Sequence, residues 1–455
     1  MGTLAEELSD YTLSVDYRDL GEHVVLEASK RVIDTIGCAM GAFGESPIRA
    51  ARRTAMESRP GTGSTILGTS VRTSPDVATF VNGGMMRYFD FNDTYLSKEP
   101  GHPSDNIAAC LATAESEGST GRELLTSIAV AYEIQCRLCD AADIRHRGWD
   151  HVCYGLVSSA LASGRLMGLS RAQLTNAVNI ALNGHIAMRQ VRAGKISSWK
   201  GFSFSNAARN AVFSAMLARN GMTGPSPIFE GEMGFFKQVS GPFKVDVEKF
   251  GGRTGTFKLV ETYIKYFPAE YHAQSAIWAA LAARKGVRRF EDIEAVEVDT
   301  HEAGLSILAS GDEKWAPTTK ETADHSMPYM VGMAILKGRI DNSTYSERNL
   351  RDPATLEFLR KITVREDARL SRAYPERIAN RVSIRLRGGT SITERVDLPK
   401  GHPKNPMSEA EIESKFRRLT AKYLSDSQVR KILEFAWKLG SQRSLDPLLQ
   451  LCVVD

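Results

Sequence analysis

The fold class of this chain is decided by the stretch Val24-Val-Leu-Glu-Ala-Ser-Lys-Arg-Val-Ile-Asp-Thr-Ile-Gly-Cys-Ala39. Its apolar residues recur at intervals of three and four positions, which places them along one face of an α-helix. Comparable patterns continue from Asp19 to about Met222. The first half of the chain therefore predicts a large multi-helix domain whose apolar faces form the core.

Three short motifs mark the starts of further helices. They are Thr120-Gly-Arg-Glu123, Ser170-Arg-Ala-Gln173 and Ser408-Glu-Ala-Glu411. Each matches a capping box, in which the first and fourth side chains accept hydrogen bonds from each other's free backbone N–H groups. We expect a helix to begin at each of them, and another to run from Ser74-Pro75 to about Asp90.

The pattern changes beyond about Lys265. Three segments alternate apolar and polar residues, as strands do, at positions 295–300, 382–386 and 391–396. Gly388-Gly389 joins the last two in a predicted hairpin. Since helical patterns lie between these strands, residues 265–402 predict a small α+β domain.

Helical patterns return in the last part of the chain. The most economical topology sends this tail back to the first domain, so that residues 1–264 and 403–455 form one discontinuous all-helical domain. We therefore expect a mainly α protein, with a large multi-helix domain plus a smaller α+β lid domain at residues 265–402.

The composition excludes several classes of protein. Hydrophobic residues make up 42% of the 455 positions and charged residues 25%, which is typical of globular rather than disordered chains. The net charge of +4 is too small a surplus to indicate a nucleic-acid partner. The first ten residues lack the apolar core of a secretion signal, and no apolar run has the length of a membrane span. We expect no membrane partner and no secretion by that route.

The six cysteines are too sparse for a disulfide framework and predict a reducing compartment, with the cytoplasm as the default. Cys136 and Cys139 form a C-x-x-C pattern inside a predicted helix, where packing in the core is the more common role. Together with Cys110 and Cys153 they offer the alternative of an iron–sulfur cluster.

The strongest local signal for chemistry lies in the link between two predicted helices, at residues 90–106. This segment carries Asp90, Asp93, Asp105 and His102. Polar side chains in such a link can face a cleft, and carboxylates beside an imidazole are groups used in acid–base catalysis. The alternative is that each carboxylate only caps or bridges a helix end. The clustering of these groups favours a catalytic site.

Further candidates lie outside this segment. His151 precedes an apolar helix, where either a proton-transfer role or a structural cap fits a histidine. Lys200 lies near a helix start with Arg192 upstream; because a cation there opposes the helix dipole, Lys200 needs an anionic partner or solvation. Residues 265–272 lie at the predicted domain junction, where ligand clefts form, and residues 323–329 open a helix of the second domain.

Taken in order, these motifs resemble the MmgE/PrpD family of enzymes. The resemblance runs from about residue 20 to 340, with a further match near the end. It rests on Phe89-Asp-Phe-Asn-Asp-Thr-Tyr95, Gly101-His-Pro-Ser-Asp-Asn106, Gly148-Trp-Asp-His-Val152, Phe267-Pro-Ala-Glu-Tyr-His272, Thr300-His-Glu-Ala303, Asp324-His-Ser326, Tyr329-Met-Val331 and Asn405-Pro-Met-Ser-Glu409. A series of separated motifs in one order is far more specific than any single motif.

The resemblance implies a large helical domain, a smaller α+β lid, a cleft between them, and a homodimer that requires neither metal nor organic cofactor. It also implies a hydro-lyase that dehydrates 2-methylcitrate, or citrate, to 2-methyl-cis-aconitate, or cis-aconitate, by acid–base elimination. The expected partner is thus a small polycarboxylate substrate.

The resemblance also indicates which side chains form the active site. Those expected to be catalytic are His102, His151, Asp93 and Tyr329, and those expected to bind substrate are Lys200, Lys265, Arg192, His272 and His325. Histidine can give or take a proton near neutral pH, and lysine or arginine can pair with carboxylates. Our hypothesis is that His102 and His151 form the acid–base pair, that Asp93 orients one of them, and that Tyr329 donates to the developing charge.

Other functions stay open from the sequence. cis-Aconitate decarboxylase and an iminodisuccinate epimerase are members of the same family and would use a similar anion-binding cleft. An iron–sulfur hydratase would use the cysteines instead. A noncatalytic helical protein that only binds polycarboxylates is an alternative of a different class.

Overall fold

Helices form most of the described structure, which covers residues 2–57, 61, 63–193 and 196–454 of a computed structural model. The α-helices are α1 (Leu4–Ser14), α2 (Gly21–Gly41), α3 (Ser46–Glu57), α4 (Pro75–Arg87), α5 (Ile107–Ser116), α6 (Gly121–Ala141), α7 (Val152–Leu166), α8 (Arg171–His185), α9 (Ser203–Arg219), α10 (Gln274–Arg284), α11 (Glu302–Leu308), α12 (Lys320–Ala323), α13 (Met327–Lys337), α14 (Glu347–Leu350), α15 (Pro353–Leu359), α16 (Ala368–Ala373), α17 (Glu409–Thr420), α18 (Asp426–Trp437) and α19 (Asp446–Leu451). The strands are β1 (Ser64–Thr65), β2 (Arg72–Thr73), β3 (Asp93–Thr94), β4 (Tyr263–Ile264), β5 (Ile293–Thr300), β6 (Ile362–Glu366), β7 (Asn380–Leu386) and β8 (Ser391–Val396). The predicted mainly α class is confirmed.

The chain divides into two compact units. The helical unit comprises Met1–Tyr263 and Ser408–Asp455, and the mixed unit comprises Ile264–Met407. In the helical unit helix α17, which opens the carboxyl-terminal segment, packs against α2, near the beginning of the chain.

The capping motifs begin helices as the sequence predicts. At the start of α6, the Thr120 hydroxyl accepts a hydrogen bond from the Glu123 backbone N–H at 3.3 Å, and the Glu123 carboxylate accepts one from the Thr120 N–H at 2.7 Å. Ser170 and Ser408 form the same reciprocal pair at α8 and α17. These bonds satisfy backbone donors that a helix leaves free at its first turn.

Helix α4 is shorter than expected. It begins at Pro75, as predicted, but it ends at Arg87 rather than near Asp90. Asp90 has a φ of 51°, in the left-handed region that a right-handed helix does not contain. The chain therefore leaves the helix just before the segment that carries the candidate carboxylates.

Small residues allow the helices of the helical unit to pack closely. A Cβ added at Gly83 in α4 would lie 2.6 Å from Cβ of Ser205 in α9, closer than real Cβ atoms approach another atom. Helices α4 and α9 thus approach each other where neither has a bulky side chain. Helix α7 is buried along nearly its whole length.

The mixed unit contains a four-stranded sheet in the order β6-β5-β7-β8. Strands β5 and β6 are parallel, whereas β7 is antiparallel to both β5 and β8. The predicted hairpin is the β7–β8 pair. Gly388 and Gly389 have φ values of 101° and 87° in its turn, which glycine adopts without a Cβ clash.

Strand β6 was missing from the sequence prediction. Only Ile362 of its five residues is buried, and the strand ends in the charged pair Arg365-Glu366. Charged residues are common on edge strands, because they discourage pairing with other chains, and here they hide the apolar alternation. Helices α10 and α13 supply much of the apolar core of this unit, together with β5 and β7.

The cysteines lie in the core of the helical unit. Cys136 and Cys139 are buried in α6, and burial raises the pKa of both thiols well above its ordinary value. This environment favours neutral core thiols. A search of the described residues for helices that could cross a membrane found none with the required length and apolar character.

Candidate active site

A tight loop brings Asp93 next to His102. Tyr95 and Gly101 exchange two backbone hydrogen bonds, of 2.8 and 2.9 Å, so the chain doubles back between them. The Nδ1 atom of His102 lies 2.7 Å from the backbone carbonyl oxygen of Asp93. Because a carbonyl can only accept, Nδ1 carries a proton, and in the neutral ring the lone pair is on Nε2. The loop thus fixes which nitrogen of a neutral His102 could accept a proton.

The Asp93 side chain has a different task from its carbonyl. One carboxylate oxygen accepts a hydrogen bond of 2.9 Å from the Ser104 backbone N–H. The Tyr132 hydroxyl lies near the carboxylate; burial raises the pKa of Tyr132, and the charge of Asp93 adds to this effect. Asp93 is buried, so it stabilises the turn after His102 while its main chain orients the imidazole.

His151 lies beside His102 but in a very different environment. The two ring centroids are 5.5 Å apart. Nη2 of Arg192 lies 2.9 Å from Nε2 of His151, and a guanidinium only donates, so Nε2 accepts and Nδ1 carries the proton. Burial, and then the charge of Arg192, lowers the pKa of His151 from 6.5 to about 3. His151 is therefore a neutral hydrogen-bond donor near pH 7.

The donor on His151 is available. Its Nδ1 is buried, and among the described residues it has no hydrogen-bond partner. Arg192 is in turn held by Asp150, through an Nε to Oδ2 contact of 2.8 Å. The side chain of Asp150 is fully buried. Asp150 holds Arg192, and Arg192 in turn holds His151, whose Nδ1–H group is the unpaired end of this chain of contacts among the described residues.

A second group of charges surrounds Asp90. Nζ of Lys200 lies 3.6 Å from Oδ2 of Asp90, which supplies the anionic partner that Lys200 was predicted to need. Arg87 forms an ion pair with Asp90 and lies 3.5 Å from Oδ2 of Asp105. Burial raises the pKa of Asp105 to about 7, although Arg87 opposes this shift. All four side chains are buried.

Three guanidinium groups act on His151, and Asp150 opposes them. After burial, Arg192, Arg87 and Arg189 all act to lower the pKa of His151, which shows that the three guanidinium groups lie within electrostatic reach of one imidazole. Clustered arginines attract and orient carboxylates. The helical unit therefore brings two imidazoles, one of them a neutral N–H donor, close to several guanidinium groups.

The mixed unit gathers three of the predicted binding residues around one buried carboxylate. Oε1 of Glu270 lies 2.8 Å from Nδ1 of His272. Burial alone would raise the pKa of Glu270, but His272, with further contributions from His325 and Lys265, lowers it to about 2. His272, His325 and Lys265 thus lie together around an ionised Glu270.

Tyr329 is separate from this group. It is fully buried in α13, and its hydroxyl donates a hydrogen bond of 2.7 Å to the carbonyl oxygen of Thr344. Burial raises the pKa of its phenol well above the ordinary value. In this structure the Tyr329 hydroxyl serves packing inside the mixed unit, so we give it no part in the mechanism proposed below.

Three residues of these clusters were missed by sequence reasoning about the site. Asp150 and Glu270 occur within the family motifs but had no assigned role, and Arg87 lies before the first of them. Asp150 contacts Arg192 across 42 positions of the chain. No local spacing reveals such a pair, although an acidic residue directly before His151 is a signal that could have been followed.

The buried neutral histidines predict a pH-dependent stability. Burial lowers the pKa of His301 from 6.5 to about 3, and its Nδ1 accepts a hydrogen bond from the Gly304 backbone N–H. The unfolded chain binds a proton on His301 below about pH 6.5, whereas the folded chain does not. The stabilisation is therefore complete above pH 6.5 and is lost toward pH 3, by up to about 1.4 kcal/mol per pH unit.

The measurement compares His301→Asn with the parent, because asparagine keeps the cap acceptor without titrating. In urea unfolding at pH 7, 6 and 5, the free energy of unfolding of the variant is expected to rise relative to that of the parent as the pH falls. The comparison must be a difference, since Glu99 and Asp105, with pKa values raised by burial to about 7, act in the opposite direction in both proteins. A constant difference across this range would contradict the assignment of His301 as neutral.

Two domain models of one protein family match the chain, one in each part. The family model described as the MmgE/PrpD N-terminal domain matches residues 6–248, and the MmgE/PrpD C-terminal domain matches residues 267–440. The 2-methylcitrate dehydratase of Cupriavidus necator is 33% identical over 398 residues, which cover 82% of this chain and 80% of that protein. The 2-methylcitrate dehydratase of Escherichia coli strain K12 is 31% identical over 430 residues, 89% of this chain and 87% of that protein.

A fungal relative is similar to the same extent. The 2-methylcitrate dehydratase-like protein oryR of Aspergillus oryzae is 32% identical over 438 residues, 90% of this chain and 87% of that protein. These relatives identify the chain as an enzyme of the hydro-lyase class. The chain belongs to the MmgE/PrpD family.

Proposed function

We propose that this enzyme dehydrates 2-methylcitrate to 2-methyl-cis-aconitate by acid–base elimination. The observation that carries the proposal is the pair of imidazoles with unequal roles, His102 with its lone pair at Nε2 and His151 neutral with a free Nδ1–H, beside three arginines. Relatives named 2-methylcitrate dehydratase support the choice of substrate.

The first step is removal of a proton. Nε2 of His102 takes the proton from the methyl-bearing carbon, and the electron pair of that C–H bond stays on this carbon. Negative charge develops beside a substrate carboxylate, and preorganised donors stabilise such charge more than water does. His151, through Nδ1–H, and the cations near it supply these donors.

The second step is loss of the hydroxyl group. The electron pair on the methyl-bearing carbon forms the carbon–carbon double bond as the C–O bond of the neighbouring carbon breaks, and the departing hydroxide needs a proton to leave as water. His102 carries the proton it has just taken, so one imidazole serves both steps in turn. This division of work differs from the acid–base pair expected from the sequence, because a histidine with a pKa of about 3 gives up no proton by titration near pH 7.

The substrate has three carboxylates, which need positively charged partners, and the helical unit supplies such cations. Arg192 and Lys200 are proposed to pair with them, while Arg87 and Asp90 hold Lys200 in place. The roles expected for Lys265, His272 and His325 stay predictions of the family resemblance. The same holds for a homodimer that needs neither metal nor organic cofactor, and the cytoplasmic location stays a prediction from the sparse cysteines.

The test is a parallel assay of purified protein with 2-methylcitrate, citrate and cis-aconitate. We expect the ultraviolet absorbance of a conjugated alkene to appear with 2-methylcitrate, and more slowly or not at all with citrate. Itaconate formed from cis-aconitate would instead identify a decarboxylase. Binding of these acids without turnover, seen as a raised melting temperature, would contradict catalysis altogether.

A further inference from the structure

A buried lysine of the carboxyl-terminal segment reaches the candidate active site. Nζ of Lys415, in α17, donates a hydrogen bond of 2.7 Å to the backbone carbonyl oxygen of Phe91 and lies 3.8 Å from the centre of its ring. The same nitrogen lies 2.6 Å from Oδ1 of Asp34, in α2. The side chains of Lys415 and Asp34 are each 1% exposed.

Close helix packing sets the position of this lysine. A Cβ added at Gly37 of α2 would lie 3.0 Å from the ring of Phe416, and one added at Gly41 would lie 3.1 Å from the side chain of Leu419. Because glycine occupies both points, α17 can lie directly on α2. Lys415 precedes Phe416, so its chain enters the core between the two helices and leads to Phe91.

The carbonyl that Lys415 holds belongs to the segment that builds the site. Asp90 pairs with Arg87 and Lys200, and the backbone carbonyl of Asp93 accepts a hydrogen bond from Nδ1–H of His102. Between them, Asn92 donates hydrogen bonds of 2.9 Å to the Ser104 hydroxyl and 2.6 Å to Asp105. The contact with Lys415 joins this segment to the returning tail.

The ion pair also lies within electrostatic reach of Asp93. Burial raises the pKa of Asp34, Lys415 opposes the shift, and the charge of Asp93 adds to it. The Lys415 ammonium therefore compensates a buried carboxylate that lies within electrostatic reach of a second one, Asp93. An unpaired buried charge is costly, and so is a buried carbonyl without a donor.

We propose that Lys415 is a positioning residue, which fixes residues 90–93 through the Phe91 carbonyl and so makes helix α17 of the carboxyl-terminal segment a working part of the acid–base site. It touches no reacting atom. Its effect is to hold the Asp93 carbonyl where it orients the His102 imidazole.

The test separates positioning from stability. Lys415→Met alone leaves Asp34 buried and unpaired, so it is expected to destabilise the fold. Replacing both partners by apolar residues of similar size, in Asp34→Leu with Lys415→Met, is often neutral for stability. The double variant still lacks the donor to Phe91, and small displacements of a catalytic group can lower rates about 100-fold.

We expect the double variant to keep the parent's melting temperature, to lose at least about tenfold in kcat, and to change KM little. The control is Arg418→Met on the same helix, an exposed residue that contacts Ser414 and is expected to leave kcat unchanged. If the double variant does not fold, Lys415→Arg keeps the charge beside Asp34 while moving the donor, and the same measurements apply to it.

Because the kcat readout rests on the dehydratase function proposed above, a second readout is independent of turnover. The imidazole signals of His102 are followed by NMR in protein labelled at histidine, with His102→Gln to assign them. We expect these signals to shift in the double variant and to stay fixed in Arg418→Met.

Unshifted His102 signals would overturn the proposal, whether or not kcat falls. A parent enzyme that turns over none of the acids would overturn the proposed function instead, and the His102 signals alone would then decide the role of Lys415.

Discussion

Replacing His102 by glutamine is expected to lower kcat/KM by about 100-fold to 10,000-fold while the protein stays folded. Glutamine keeps a donor that can reach the Asp93 carbonyl, which His102 now contacts at 2.7 Å, but it offers no base in place of Nε2. The loss should appear in kcat more than in KM, because the missing interaction belongs to the transition state.

The matched control is His23→Gln, a histidine exposed on α2. Both variants should have the melting temperature and circular dichroism of the parent. If His102→Gln keeps kcat/KM within a fewfold of the parent while folding normally, His102 is not the base, and the assignment made here is wrong.

Replacing Arg192 by methionine is expected to have the next largest effect. The substitution leaves Asp150 fully buried without its cationic partner, and breaking a buried pair in this way costs about 3 kcal/mol or more. It also leaves Asp150 Oδ1, 3.6 Å from Nε2 of His151, free to favour the protonated ring. The neutral Nδ1–H tautomer is then no longer enforced, so kcat/KM should fall by at least about 100-fold.

Two further variants separate the loss of stability from the loss of activity. Adding Asp150→Asn to Arg192→Met removes the unpaired charge and should recover most of the lost stability in urea unfolding, but not the lost activity. Arg219→Met breaks an exposed pair with Glu117 of 2.8 Å and should change the free energy of unfolding by less than about 1 kcal/mol. Full recovery of activity in the double variant would contradict a role for Arg192 beyond the fold.

Local patterns in the sequence predicted the elements that depend on local physics. The capping boxes at Thr120, Ser170 and Ser408 begin helices because their hydrogen bonds join residues three positions apart. The β7–β8 hairpin follows from two glycines between alternating segments. Edge strand β6 was missed, since its exposed charged residues hide the apolar alternation and only its pairing with β5 reveals it.

In the candidate site, too, contacts within one loop could be predicted from the sequence and contacts between distant segments could not. Asp93 and His102 are nine positions apart in one loop, so their proximity could be expected from clustering alone. The contact of Lys415 with Phe91 spans 324 positions, and that of Arg192 with Asp150 spans 42. Tertiary packing creates both, and it also decides that His151 is neutral, because burial rather than any sequence neighbour lowers its pKa most.

The assignment of His102 as the proton-transferring base is tested most directly by incorporation of solvent hydrogen into the product. The purified enzyme is incubated in D₂O with 2-methyl-cis-aconitate, and the 2-methylcitrate formed by the reverse reaction is examined by NMR. The parent and His23→Gln should place one deuterium on the methyl-bearing carbon, because His102 draws its proton from solvent, and His102→Gln should place almost none. Deuterium incorporation by His102→Gln at the rate of the parent would contradict the account.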